Sequence, residues 1–131
     1  MNFNVRDWMI DVVIYIDPEQ TVLEALEIMR RRYMHSIIVD KSDKNPDFGI
    51  ITSTDISDKI VAASQNPAIL KCHEIMTSPL IVVGDHIPLT ECAVLMKQHH
   101  IHHLPVESEF HELIGMISAT DFMVAAEAMG R

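Results

Sequence analysis

The segment Lys97-Gln98-His99-His100-Ile101-His102-His103-Leu104 places four histidines within five positions. Imidazoles at that density suit transition-metal binding, proton exchange or contact with an anion. A second chemical feature occurs twice, as Gly49-Ile50-Ile51-Thr52-Ser53-Thr54-Asp55 and as Gly115-Met116-Ile117-Ser118-Ala119-Thr120-Asp121. An ionised aspartate offers only acceptors, so Asp55 and Asp121 are each able to take hydrogen bonds from both hydroxyls of a ribose. Thr52 and Ser118 supply hydroxyls nearby, and Thr54 and Thr120 lie within reach of a phosphate. Ser, Thr and Asp are also the residues that cap helices, and a cap and a ligand contact can coexist in one side chain. Cys72 stands beside His73, but no third partner is evident and no nucleophile is read there.

Composition narrows the classes. The 131 residues are 48% apolar, which supplies a core and argues against disorder. No apolar run approaches the ~20 residues that span a bilayer, and the first ten residues carry charge and an indole where a signal peptide needs a plain apolar stretch. The expectation is a soluble, cytoplasmic protein without membrane association. Two cysteines match no disulfide framework or C-x-x-C pair. A net charge of −9 opposes nonspecific nucleic-acid binding, which depends on phosphate neutralisation.

The elements that must position these residues come from an internal repeat. Val5–Val39 aligns on Cys72–Val106, pairing Met9 with Met76, Glu24 with Glu91, Met29 with Met96 and His35 with His102. After a loop one residue shorter, the two Gly-to-Asp motifs align. In each copy a β-branched run, Val12–Ile16 or Leu80–Val83, predicts a buried strand. Val22, Ala25, Leu26, Met29 and Tyr33 predict an apolar helix stripe, repeated by Leu89, Cys92, Ala93, Met96 and His100. Thr21-x-x-Glu24 has capping-box form, and Pro88 suits a first helical turn. Hairpins follow at 36–40 with 49–52 and at 104–107 with 113–118, and each copy closes with a helix, about 54–63 and 120–129. The predicted fold is α+β: two pseudo-symmetric β-α-β-β-α repeats, 5–64 and 72–129, joined by a linker at 65–71 and packed into one module. The repeat gives Asp55 and Asp121 separate, equivalent surroundings, which argues against a catalytic carboxylate pair.

This pattern resembles a tandem pair of cystathionine-β-synthase (CBS) domains. The resemblance runs from about Val5 to Ala126 and is carried by "VRDWM" and "CHEIM", "TVLEALEIM" and "PLTECAVLM", "HHLPV", and above all the paired "GIITSTD" and "GMISATD". It implies a free-standing, non-catalytic regulatory module that forms a homodimer. It also implies binding of AMP, ADP, ATP or another adenosyl compound in the cleft between repeats, with occupancy signalled to a separate regulated protein. Asp121 and Asp55 would read ribose, with Ser118, Thr120, Thr52 and Thr54 around them. The adenine end would be lined by Thr77, Ser78, Pro79 and Leu80 in the second repeat. In the first repeat its counterparts are Ile10, Asp11, Val12 and Val13. Asp11 stands where the second repeat has Ser78, which ranks Asp121 ahead of Asp55.

Within this frame His99 falls in the last turn of a helix, His100 on its apolar stripe, and His102 and His103 at the start of a strand. By the resemblance His102 and His103, with their counterparts His35 and Ser36, face ligand phosphates. The metal alternative needs three or four converging ligands, and a helix-to-strand junction splays neighbouring side chains. Arg30-Arg31-Arg32 reads as a solvated helix end, and Trp8 and the nine methionines as core or dimer surface. The alternative to a sensor is an assembly module whose pockets no longer bind. Because phosphate favours the charged imidazole, nucleotide affinity is expected to fall from pH 6 to pH 8 in isothermal titration; equal affinity across that range excludes a charge role for His102 and His103.

Overall fold

The computed structural model describes residues 3–131. Two compact units emerge, and they do not coincide with the sequence repeats. The N-unit is Ile14–Leu80, and the C-unit joins the described residues up to Val13 with Ile81–Arg131. Each repeat therefore contributes its leading segment to the unit that holds the other repeat's sheet.

In the N-unit, β1 (Tyr15–Ile16) leads into α2 (Val22–Arg32), which returns the chain to β2 (Ser36–Val39) and the hairpin strand β3 (Gly49–Thr52). The sheet order is β1-β2-β3, with β1 parallel to β2 and β3 antiparallel to it. A short α3 (Ser53–Ile56) continues as a π-helical stretch, Ser57–Val61, and the second leading segment adds α4 (Cys72–Ile75). The C-unit repeats the scheme with α1 (Val5–Trp8), β4 (Val83–Gly84), α5 (Leu89–His99), β5 (His103–Glu107), β6 (Leu113–Ser118) and α6 (Ala119–Met129). Its sheet order is β4-β5-β6.

The helix stripes pack largely as their spacing predicts; Tyr33 and His100 depart from it, and Ala93 is only half-buried. Val22, Ala25 and Met29 join Ile37, Val39, Ile51 and Cys72 in the N-unit core, and Leu89, Cys92 and Met96 join Leu104, Val106, Ile117 and Val5 in the C-unit core. Tyr33 and His100 were expected on those stripes. Instead both leave the helix in the left-handed conformation, at φ 55° and 54°, and Tyr33 is 91% exposed. The cause is a Schellman closure. Met34 N donates to Met29 O at 2.9 Å and Tyr33 N to Arg30 O at 3.4 Å, and Ile101 N and His100 N do the same to Met96 O and Lys97 O. Met34 and Ile101 fold back onto the cores and push the preceding side chain into solvent.

The predicted first strands are also shorter than their apolar runs. Val12 and Ile81 stay exposed, because only the last residues of each run pair with β2 or β5. Residues 65–71, read as a linker, pack within the N-unit: Pro67 O and Leu70 O accept from Leu23 N and Val22 N, each at 2.9 Å, and so satisfy first-turn amides of α2. Thr21 completes that end with the predicted capping box, its hydroxyl accepting from Glu24 N at 3.2 Å. Trp8 is a core residue, stacked on Phe3 at 5.4 Å.

Left-handed backbone costs a side-chain-bearing residue roughly 1–2 kcal/mol and glycine almost nothing. Tyr33→Gly and His100→Gly are each expected to raise the urea midpoint, by up to about 1 kcal/mol of stability; a lower midpoint would mean the exposed rings make contacts that matter.

Candidate functional site

Each Gly-to-Asp motif lies where the third strand of a sheet turns into a helix, β3 into α3 and β6 into α6. The glycines are required by proximity, since neither has a positive φ. A Cβ on Gly49 would lie 2.4 Å from Met76 Sδ, and one on Gly115 would lie 2.6 Å from Ile10 O and 2.8 Å from Met9 Sδ. The leading segments press onto these positions and are bonded there. Ile10 N donates to Met116 O at 2.9 Å and Met116 N returns a bond to Ile10 O at 2.8 Å; Thr77 and Ile50 exchange the same pair, both at 2.9 Å. The repeated methionines and the repeated glycines are thus two halves of one contact.

This contact changes the grouping that the repeats suggested. Thr77, expected beside Asp121, donates its hydroxyl to Asp55 Oδ1 at 3.0 Å. Ser78 Oγ donates to Phe48 O at 3.0 Å, and Thr77, Ser78, Pro79 and Leu80 all belong to the N-unit with Asp55. Ile10 is bonded beside the Asp121 strand, and Ile10 to Val13 belong to the C-unit with Asp121. Sequence adjacency grouped each leading segment with its own repeat, whereas backbone pairing puts it on the other repeat's third strand.

The two aspartates share one arrangement and differ in what surrounds it. Asp55 Oδ2 accepts from Thr52 N at 3.0 Å, and Asp121 Oδ2 from Ser118 N at 2.8 Å and Ser118 Oγ at 3.2 Å. Each carboxylate therefore reaches back to cap the start of its helix, as the acidic half of a capping box does. Asp55 is 6% exposed, and its Oδ1 holds both the Thr77 hydroxyl and the Lys59 ammonium, the latter at 2.9 Å. Lys59 also donates to Ile75 O at 2.7 Å, so it ties α4 to the motif. Asp121 is half-buried, and among the described residues none is bonded to its Oδ1. Ser118 Oγ and Thr120 Oγ1 lie 2.7 Å apart beside it. Lys59 escaped the sequence reading, although the i, i+4 spacing from Asp55 signalled an acid–base pair.

The histidines disperse. His99 ends α5, His100 is turned outward, His102 is exposed and His103 opens β5 half-buried. The His102 carbonyl accepts from Ala119 N at 3.0 Å, which sets this residue beside the start of α6. No group of three or more His, Cys, Asp or Glu among the described residues is arranged to hold a metal. His35 and Ser53 line a shallow pocket of about 350 Å³ floored by Leu26, Met29, Met34 and Ile56. Ser36 is buried in β2, while Thr54 is exposed. Burial raises the Cys72 thiol to about 12 and the Cys92 thiol to about 11, which leaves neither reactive near neutrality.

Two β-α-β-β-α sheets, each bearing a Gly-to-Asp turn under a leading segment, define a tandem repeat module. The chain matches the CBS domain family over residues 5–62 and again over 72–128 and belongs to that family as a CBS domain pair. An uncharacterised protein of Methanopyrus kandleri is 30% identical over 111 residues, 85% of this chain. The chain spans 56% of that relative. The structure of a hexameric CBS-CP12 protein from bloom-forming cyanobacteria superposes with a TM-score of 0.88 at 27% identity, covering 98% of this chain and 73% of that one. A CBS domain pair solved in complex with 5′-methylthioadenosine and S-adenosyl-L-methionine has the same fold, with a TM-score of 0.81 at 20% identity and coverage of 98% and 99%.

Overpacking a tight contact costs about 1–3 kcal/mol. Gly115→Ala is expected at the upper end, because its Cβ meets a backbone oxygen, and Gly49→Ala lower, because a methionine side chain can move. Urea unfolding of both variants measures this, and equal midpoints would overturn the assignment.

Proposed function

We propose that this CBS pair is a regulatory sensor of an adenine nucleotide or adenosyl compound, held in the C-unit with its ribose on Asp121. One observation carries the reading: Asp121 Oδ2 is fixed by Ser118 while Oδ1 has no bonded partner among the described residues. An acceptor held in place at one oxygen and open at the other suits a diol, whose two hydroxyls need acceptors. Ser118 and Thr120 supply neighbouring hydroxyls, His102 and His103 the imidazoles for phosphate, and Val12 and Val13, just after the β6-paired Ile10, apolar surface for the base. The binding of adenosyl compounds by a protein of the same fold supports the ligand class. The chain's role is to report occupancy to another protein, as a homodimer and without catalysis of its own. Among the described residues no helix is long and apolar enough to cross a membrane.

A second reading, assembly without ligand, is favoured by one feature: the Asp55 motif is fully engaged by its own unit and serves structure. A fold neighbour named as hexameric is consistent with it.

A thermal-shift panel of AMP, ADP, ATP, 5′-methylthioadenosine and S-adenosylmethionine separates the two. A ligand at 100 times its dissociation constant adds about 2.7 kcal/mol of stability, and Asp121→Ala is expected to abolish the shift while leaving the oligomeric state unchanged. A flat panel for the unmodified protein rejects the sensor.

A further inference from the structure

We infer that Lys59 and Thr77 close the Asp55 motif from within, so that each chain offers one diol-reading carboxylate, Asp121, and binds one adenine ligand. This inference rests on the sensor reading above and sets its stoichiometry.

The inference comes from comparing the two motifs position by position. Asp55 Oδ1 receives the Thr77 hydroxyl at 3.0 Å and the Lys59 ammonium at 2.9 Å, while Oδ2 receives Thr52 N at 3.0 Å. Both carboxylate oxygens are occupied and the residue is 6% exposed. In the C-unit the position of Lys59 is taken by Ala125, which is buried and has no donor, and that of Thr77 by Ile10. The substitutions remove both donors at once. Asp121 keeps only the contacts of its own helix turn, from Ser118 N and Ser118 Oγ.

Lys59 is also anchored at a second point. Its ammonium donates to Ile75 O at 2.7 Å, so releasing Asp55 to a ribose would break a charge-assisted contact and loosen α4 together. A buried carboxylate stripped of its cation is destabilised, because the remaining charge is left uncompensated. A diol returns two neutral hydrogen bonds in exchange, which are weaker. At Asp121 the diol displaces no protein donor from Oδ1.

The test is equilibrium dialysis of the full chain against radiolabelled AMP, ATP and S-adenosylmethionine, with ligand-free urea unfolding in parallel. The expected result is one mole of probe per mole of chain, lost in Asp121→Asn and retained within about twofold in affinity in Lys59→Met, as for independent sites. In urea, Asp55→Asn and Lys59→Met are expected to lower the midpoint well beyond Asp121→Asn. Two moles per chain, or a single mole that survives Asp121→Asn and is lost in Lys59→Met, overturns the inference. So do urea midpoints in which Asp55→Asn and Lys59→Met are as mild as Asp121→Asn. No binding of any probe, with Asp55→Asn still strongly destabilising, rejects the sensor reading and leaves the internal closure of Asp55 supported.

Discussion

The contact on which this architecture depends is the press of a leading segment against a glycine of the third strand. Met76 lies on Gly49, and Met9 with the Ile10 carbonyl lies on Gly115. A pair of backbone hydrogen bonds fixes each contact in register. A side chain at Gly115 would meet the segment's own backbone at Ile10 O, whereas one at Gly49 would meet only the Met76 side chain. Once the segment is down, the rest of each unit follows. Val5 or Cys72 and Ile75 enter the core behind it, and the residues after it run on toward the sheet.

Polar contacts reinforce the same placement differently in the two units. The Arg6 guanidinium pairs with Asp85, which is 4% exposed, in the C-unit. In the N-unit Lys71 reaches Glu19 at 2.8 Å, and that hydrogen bond holds the Glu19 carboxyl below the usual range and the Lys71 ammonium above it. The Glu19–Lys71 pair is exposed and screened by solvent, so it trims the geometry and does not create it. The partnership of buried Asp55 with the exposed Lys59 and Thr77 spans more elements. It unites the motif, the π-helical stretch and the second leading segment, a set of contacts for which Asp121 has no counterpart among the described residues. The C-unit joins chain segments that precede and follow the N-unit in the sequence, so it closes a long loop and carries the larger closure entropy.

The same asymmetry gives one motif two different settings. A turn that caps its helix with an aspartate is stable without any ligand, which is why the pattern alone does not reveal function. What distinguishes the copies is the donor set around the second carboxylate oxygen, drawn from one residue on the next turn, Lys59, and one distant in the chain, Thr77. A hydroxyl and an ammonium convert Asp55 into a structural joint. An isoleucine and an alanine leave Asp121 available.

The sequence by itself determined the repeat, the β-α-β-β-α order within each copy and the family, but not the short leading helices Val5–Trp8 and Cys72–Ile75. Apolar spacing marked the buried faces Val22-Ala25-Met29 and Leu89-Cys92-Met96, and the Thr21-Glu24 box marked a helix start, because these are local consequences of helical and strand periods. It also put the Gly-to-Asp motifs at strand-to-helix turns and separated the histidines by element. Periodicity failed at Tyr33 and His100, where one more residue of apolar spacing was outvoted by a left-handed closure that only the backbone reveals. It could not assign the leading segments either, since a repeat carries no information about which sheet accepts them. That choice, and with it the meeting of Thr77 with Asp55, was decided by long-range backbone pairing over a glycine, a contact between residues far apart in the chain.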